Sequence, residues 1–200
     1  YANLWKKTLS SNGFSVHHSE KESNSFLKYS TDSFPTLESI GFEKTGIIFS
    51  KPKPDISIIQ QYEQTRNFPA NENGTTQLSV HLRFGTISIR QLITIALNEN
   101  ETWLNELIWR EFFMSILVHF PHVEHHSFRK EYENIAWRNK EEDFRRWCEG
   151  KTGYPIVDAG MRELNQTGLM HNRVRMIVAS FLTKHLLIDW RWGEAYFASK

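Results

Sequence analysis

The sequence is poor in the features that mark secreted, disulfide-bonded or membrane proteins. Its only cysteine among 200 residues is Cys148, which excludes an internal disulfide and favours a reducing compartment, the cytoplasm. It has no apolar run of about 20 residues, so we predict no membrane span, and its start lacks the apolar core of a signal peptide. Lysine and arginine (24) balance aspartate and glutamate (23), so any anion-binding site must be local.

The sequence also lacks the alternation of apolar and polar residues that marks a β-strand. Apolar residues recur at helical spacing instead, and we predict an all-α fold. Residues 1–54 are polar and weakly periodic, and we interpret them as an interdomain linker, partly irregular, with a short helix over 2–11 and a helical turn over 35–41. Residues 55–200 are interpreted as a helical domain, with helices predicted over 55–68, 86–99, 103–119, 140–149, 155–167 and 170–188.

The longest predicted helix, 103–119, carries two charges on an apolar face. On a wheel of about 100° per residue, Glu106 and Arg110 lie opposite the solvent face. A charge there is costly unless it is paired or meets a polar ligand. Their spacing alone favours an ion pair between them; the alternative is a polar, aromatic ligand that Trp103 and Trp109 also face. The wheel places Trp103, Phe113 and Leu117 with the charges, and Asn105, Glu111, Ser115 and His119 on the solvent face.

A hydroxyl-rich segment follows a predicted turn at Asn73 and Gly74. Thr75, Thr76 and Ser79 supply hydroxyls and backbone N–H groups that can cradle a phosphate without a lysine. The same residue types commonly cap turns, and the sequence alone favours that simpler role.

Two other patterns fall short of a recognised site. The histidines that follow the central helix match no zinc-ligand spacing, so we predict no metal site. Gly150, Lys151 and Thr152 lack the upstream glycine of a P-loop. The histidines are His119, His122, His125 and His126.

The predicted helix 170–188 again places an arginine and an amide on one face. That stripe comprises Asn172, Arg175, Met176, Ala179 and Thr183. The small Ala179 leaves room for a flat group. Arg173 lies about 100° away, on a face suited to a phosphate backbone, although simple solvation also accounts for it.

Five segments in fixed order resemble the flavin-binding helical domain of class I DNA photolyases and cryptochromes. The likeness is closest to the bacterial photolyases that repair cyclobutane pyrimidine dimers, and it covers roughly residues 55–200. The segments are YEQTRNFPA (62–70), TTQLSVHLRFGTIS (75–88), WLNELIWREF (103–112), GKTGYPIVDAGMRELNQTG (150–168) and HNRVRMIVASFLTKHLLIDWRWGEAYF (171–197).

The resemblance implies an FAD site that this chain contains in part. Positive charge beside a reduced, anionic flavin would account for arginines on apolar faces. The residues that would hold the phosphate and ribityl portion are Tyr62, Thr75, Thr76, Gln77, Leu78 and Ser79, and those that would line the flavin pocket are Trp103, Arg110, Asn172 and Arg175.

The resemblance also implies a lesion site. Glu106 would hydrogen-bond the base edges of a flipped-out pyrimidine dimer, Trp109 would stack on it, and Met176 would pack against it. Arg66 and Arg173 would grip phosphates beside the lesion. The implied DNA contacts are Arg66, Glu106, Trp109, Asn172 and Arg173.

The implied reaction is light-driven repair. Excited reduced FAD donates an electron to the dimer, the cyclobutane ring opens, and the electron returns. Trp147 and Trp190 match the outer and middle tryptophans of the family's photoreduction chain. One alternative is a cryptochrome-type photoreceptor without repair activity. A signalling protein, however, has no need of the three lesion-facing residues Glu106, Trp109 and Met176. Another is a helical module without a cofactor.

The resemblance further predicts that both ends are cuts within a longer, monomeric protein. An antenna domain, whose chromophore the sequence does not reveal, would precede Tyr1, and the rest of the flavin site would follow Lys200. We therefore expect the isolated fragment to be inactive. Leu169 lies where repair photolyases often carry tryptophan, and this leucine would loosen the wall of the pocket.

Overall fold

The computed structural model describes residues 1–16, 34–44, 46 and 50–200, and the regular elements of that part are all helical. This confirms the predicted all-α fold. The α-helices are α1 (Ala2–Asn12), α2 (Ile56–Thr65), α3 (Ser79–Phe84), α4 (Ile89–Glu99), α5 (Glu101–His119), α6 (Glu141–Cys148), α7 (Pro155–Thr167), α8 (Asn172–Ser180) and α9 (Trp190–Ser199). Short 3-10 helices lie at Glu38–Ile40, Pro121–Glu124 and Lys130–Asn134.

Local capping explains several helix ends, although α2 ends at Thr65 rather than at residue 68, α4 begins at Ile89 rather than at residue 86, and α3 was not predicted. The Asp55 carboxylate begins α2 by accepting two backbone N–H groups of its first turn. The Ser88 hydroxyl caps α4 by accepting one backbone N–H group, that of Gln91, at 3.5 Å. Helix α7 begins with Pro155, whose missing N–H is not needed there, and ends at Gly168 with a φ of 71°, a conformation that favours glycine.

The predicted helix 170–188 is not one regular α-helix. It is α8 followed by a π-helix at Phe181–His185, and it ends near Leu187, which has a φ of 53°. The Trp147 indole N–H donates to the Val178 carbonyl oxygen at 3.1 Å, just before the π-helix. A side-chain donor inserted there disturbs the i to i−4 ladder, which explains the break that periodicity did not predict.

The helices pack around two separate hydrophobic clusters. The first joins α1, α2, α4 and α5, and the second joins α6, α7, α8, the π-helix and α9. The buried members of the first are Ile59, Leu78, Ile87, Leu92, Ile93, Ala96, Trp103, Leu104, Leu107 and Ile108. Those of the second are Trp147, Val157, Met161, Leu164, Met170, Val174, Val178, Phe181, Leu182 and Ile188.

Only the first half of α5 is buried as a core helix. Its buried residues are Trp103, Leu104, Leu107 and Ile108. Phe113 and Leu117, predicted on the buried face, are 62% and 56% exposed. The helical wheel was wrong for these two side chains. The α5 residues that belong to the first cluster, where α2 and α4 pack, all precede Trp109, so Phe113 and Leu117 lie beyond that core.

Helix α1 lies within the predicted linker 1–54, yet it packs on α5. The Trp5 indole N–H donates to the Glu111 carboxylate at 2.9 Å, and Lys6 Nζ lies 2.6 Å from a Glu101 carboxylate oxygen. Residues 17–33 lie outside the described part, and the linker assignment stays a prediction. In the described residues, no helix combines the length and the apolar character needed to cross a membrane.

Two contacts organise the GKTGYP segment and the helices after it. Asp158 is buried and its carboxylate accepts the backbone N–H groups of Thr152 and Gly153, at 2.7 and 3.0 Å, and the Thr152 hydroxyl at 2.6 Å. Helix α7 approaches α8 closely at Gly160, where an added Cβ would lie 2.4 Å from Val174 Cγ1. The segment is therefore a structural turn, consistent with the missing P-loop glycine.

Candidate functional site

A cleft of ≈ 460 Å³ lies between residues from the two halves of the chain. Its lining includes the hydroxyl-rich segment on one side and the start of α8 on the other. The structure thus brings together Thr75, Thr76, Gln77, Leu78 and Ser79 with Asn172, which the family resemblance assigned to one cofactor.

The hydroxyl-rich segment presents donors to this cleft. Gln77 has a φ of 50°, an unusual conformation for a residue other than glycine. The Ser50 hydroxyl holds it by donating to the Gln77 carbonyl oxygen at 2.9 Å. Among the described residues, the backbone N–H groups of 75–79 donate to no protein acceptor. This arrangement can hold an anion such as a diphosphate.

Arg175 adds a cation on α8. Its guanidinium lies over the Phe197 ring, 5.1 Å from the centroid, and burial lowers its pKa. No carboxylate in the described part of the chain pairs with it. Arg110 donates to the Leu82 carbonyl oxygen at 3.3 Å. In the described part of the chain, the charges of Arg175 and Arg110 are therefore not offset by acidic side chains.

The ion pair that spacing alone favours between Glu106 and Arg110 does not form. Glu106 pairs instead with Arg66, which lies at the end of α2. The Arg66 guanidinium also lies 5.5 Å from the centroid of the Tyr62 ring. Burial and then the charge of Glu106 raise the pKa of Tyr62 to about 12, against a smaller opposing effect of Arg66. The i, i+4 spacing did not identify the partner, because Glu106 pairs with an arginine at the end of a neighbouring helix.

A second cleft, of ≈ 410 Å³, contains most of the implied lesion contacts. Glu106, Trp109 and Arg66 line it, together with Tyr1 and with α1 residues that include Lys6. Trp109 is 52% exposed and stacks on Phe113 at 5.8 Å between ring centroids. An exposed indole can stack on a base, and a neighbouring carboxylate can hydrogen-bond the edge of that base.

Six of the predicted cofactor, lesion and DNA residues line neither cleft: Tyr62, Trp103, Arg110, Arg173, Arg175 and Met176. Met176 is 58% exposed on α8 and is absent from the lining of the Glu106 cleft. Trp103 is buried in the first hydrophobic cluster, where it packs as a core residue. Their assigned roles stay predictions.

Arg173 contacts a residue that sequence reasoning did not select. The Asn67 side-chain oxygen accepts from Arg173 Nε at 3.0 Å and from Nη2 at 2.7 Å. Asn67 directly follows Arg66, so its place in the YEQTRNFPA segment was the available signal. This contact joins the turn after α2 to α8.

The two predicted electron-transfer tryptophans have different surroundings. Trp147 is fully buried in the second cluster, whereas Trp190 is half-buried under the Arg191 guanidinium, 4.8 Å from the ring centroid. Trp190 lines a cavity of ≈ 380 Å³ together with Trp137. Trp137 is also half-buried and was missed because the sequence analysis gave its loop no role.

The described residues contain no group of three or more potential metal ligands. Burial raises the pKa of the Cys148 thiol to about 11, so the thiolate that a nucleophile needs is scarce at neutral pH. Cysteine chemistry therefore has no support in this region.

Comparison with known proteins gives these clefts a context. Residues 103–200 match the family model described as the FAD binding domain of DNA photolyase. The chain is 51% identical over 152 residues to the deoxyribodipyrimidine photo-lyase of Vibrio cholerae and 49% identical over 150 residues to that of Escherichia coli. The chain belongs to the DNA photolyase family. This confirms the family resemblance found in the sequence.

Solved photolyase structures share the fold as well as the sequence. A bacterial class III photolyase from Agrobacterium tumefaciens matches with 46% identity and a TM-score of 0.68, over 71% of this chain and 31% of that one. A Synechocystis cryptochrome matches with 34% identity and a TM-score of 0.64, over 70% and 31%. The Vibrio alignment covers 71% of this chain and 32% of that photolyase, so the chain spans about a third of its length.

Proposed function

We propose that this chain is part of a photolyase that uses FAD and light to split cyclobutane pyrimidine dimers in DNA. The observation that most supports it is the cleft where the donors of residues 75–79 face the start of α8. Photolyase relatives at 51% and 49% identity favour the same activity. We further propose that the parent protein acts as a monomer in the cytoplasm.

The hydroxyl and N–H donors around this cleft suit a flavin dinucleotide, and the carboxylates of Glu72 and Glu163 also line it. Backbone N–H groups and the hydroxyls of Thr75, Thr76 and Ser79 would bind the diphosphate and ribityl oxygens. Arg175, which has no acidic partner in the described chain, would offset the charge of a reduced flavin. Bound reduced FAD would supply the light-driven electron that opens the cyclobutane ring. Tyr62, Trp103, Arg110 and Asn172 complete the proposed cofactor set.

The neighbouring cleft would receive the flipped-out dimer. Glu106 would exchange its partner Arg66 for the base edges, while Trp109 would stack on a base. Arg66 would then be available for a phosphate beside the lesion. Met176 would pack against the dimer if a rearrangement or a further part of the protein brings it close.

Tryptophans of the second half would supply electrons that restore reduced flavin. Trp190 would act as an intermediate carrier, and Trp147 was assigned the outer position by resemblance. Trp137 is the better outer candidate on geometry, because it is half-buried and shares a cavity with Trp190. Trp147, in contrast, is closed off from solvent.

A cryptochrome-type photoreceptor is the second candidate, favoured by the structural match to the Synechocystis cryptochrome. The two candidates differ in what the Glu106 cleft is for. Repair requires a group that reads the lesion edge and a surface that stacks on it, whereas flavin-based signalling requires neither. The pairing of Glu106 and Trp109 in one cleft therefore supports repair.

The test is light-dependent repair of an oligonucleotide that carries one thymine dimer, by the full parent protein. Loss of a charge-assisted hydrogen bond, about 1.5–3 kcal/mol, predicts roughly 10- to 150-fold weaker lesion binding for Glu106→Ala. Glu63→Ala, an exposed carboxylate on α2, is the matched control. Unchanged repair in both Glu106→Ala and Trp109→Ala would refute the assigned lesion site. Flavin photoreduction without any repair by wild type would favour the photoreceptor.

A further inference from the structure

The contact between Asn67 and Arg173 is the feature that carries a further inference. We propose that Asn67 is a positioning residue for DNA binding, which holds the Arg173 guanidinium in the orientation that grips a phosphate. This inference rests on the proposed function, because it assumes that Arg173 meets DNA.

The geometry leaves one side of the guanidinium available. Asn67 accepts from Nε and Nη2 through a single side-chain oxygen, at 3.0 and 2.7 Å. Within the described chain, Nη1 of Arg173 donates to no protein acceptor. A guanidinium whose plane is already fixed loses less side-chain freedom when it binds a phosphate.

The charge of Arg173 is also preserved. Other exposed arginines, such as Arg145 and Arg146, pair with carboxylates, which offset their charge. Arg173 meets a neutral amide instead, and no carboxylate of the described chain lies within ion-pair distance. Both side chains are exposed, where even two hydrogen bonds to one amide oxygen add little stability, so a purely structural role accounts for the contact poorly.

The position of Asn67 in the chain links the two arginines proposed to grip DNA. Arg66, the preceding residue, pairs with Glu106. Adjacent residues of one turn thus hold the lesion-reading carboxylate on α5 and the phosphate-gripping arginine on α8. A single turn would therefore set the spacing between the lesion pocket and the phosphate contact.

The experiment measures DNA binding by fluorescence anisotropy over a salt series, with a thymine-dimer duplex and the undamaged duplex of the same sequence. The variants are Asn67→Ala, Arg173→Ala, the double variant, and Asn67→Asp in the full parent protein. We expect Asn67→Ala to weaken both duplexes about 2- to 12-fold, the cost of ordering one long side chain. Asn98→Ala, an exposed amide on α4, is the matched control.

Coupling separates positioning from a general structural effect. We expect the double variant to bind no more weakly than Arg173→Ala alone, with the same reduced salt dependence. Asn67→Asp should still hold the guanidinium edge but offset its charge, so we expect both duplexes to bind more weakly and with a smaller salt dependence than wild type, and the loss to be smaller in the Arg173→Ala background. Thermal unfolding should be unchanged in all variants, and Asn67→Asp carries the test if Asn67→Ala lowers the melting temperature.

Each failure has a distinct signature. If Arg173→Ala weakens binding but Asn67→Ala does not, or if their effects add, the positioning role is wrong and the proposed function stands. If Arg173→Ala binds both duplexes like wild type, the proposed DNA contact of Arg173 is wrong, and the role of Asn67 falls with it.

Discussion

Asp158 offers the sharpest test of how the turn before α7 is held. Replacing it with alanine removes an acceptor from the backbone N–H groups of Thr152 and Gly153 and from the Thr152 hydroxyl. An unsatisfied donor away from water costs about 1–3 kcal/mol. With two backbone donors affected and their energies not fully additive, we expect Asp158→Ala to lower the free energy of unfolding by about 3 kcal/mol.

Asp158→Asn separates the charge from the shape. The amide keeps one acceptor for Thr152 but turns its NH₂ group towards the Gly153 N–H, so we expect a loss of about 1–2 kcal/mol. Urea unfolding followed by far-UV circular dichroism measures both. Glu163→Ala, an exposed carboxylate on the same helix, should stay within about 0.5 kcal/mol of wild type. A loss below about 1 kcal/mol for Asp158→Ala would refute this account.

The same carboxylate predicts a pH dependence. Burial alone would raise the pKa of Asp158, but the hydrogen bonds from Thr152 and Gly153 outweigh it and the pKa is lowered. A folded-state pKa below the unfolded value of about 3.9 gives stability that is present above that pH and lost on acidification. We therefore expect Asp158→Asn to unfold with a shallower dependence on pH below about 5 than wild type.

Three further predictions use other contacts. Gly160→Ala should cost about 1–3 kcal/mol from overpacking against Val174, offset by about 1 kcal/mol of helix propensity; urea unfolding should reveal favourable coupling with Val174→Ala, and simple additivity would contradict the clash. Trp137→Phe should slow blue-light reduction of the flavin in the parent protein, measured by absorbance, and an unchanged rate would leave the outer position to Trp147. Ultraviolet titration curves of wild type and Tyr62→Phe should differ by one phenol that ionises only near pH 12. Equal titration curves for the two proteins would contradict the burial of Tyr62 beside Glu106.

Local signals allowed much of the fold to be predicted. The starts of α2, α4 and α7 follow from Asp55, Ser88 and Pro155, because caps depend on residues within one turn. The π-helix did not follow, since the Trp147 donor that disturbs it comes from another helix. Periodicity also treated α5 as buried along its length, although burial depends on which neighbours reach each turn.

The candidate site was predictable in its parts but not in its pairings. The hydroxyl-rich segment and Asn172 were assigned to one cofactor through the resemblance, and they line one cleft. Spacing alone favours Arg110 as the partner of Glu106, because it describes contacts within a helix, whereas the observed partner Arg66 approaches from α2. Asn67 was missed for the same reason: its contact with Arg173 spans 106 positions of the chain.

The two hydrophobic clusters have a consequence for how the protein is made. The second is built from one continuous stretch, from Phe144 to Phe197, and the first is complete once α5 has been synthesised. On the ribosome, the first cluster can therefore close before the second has emerged, and the cleft between them is assembled last.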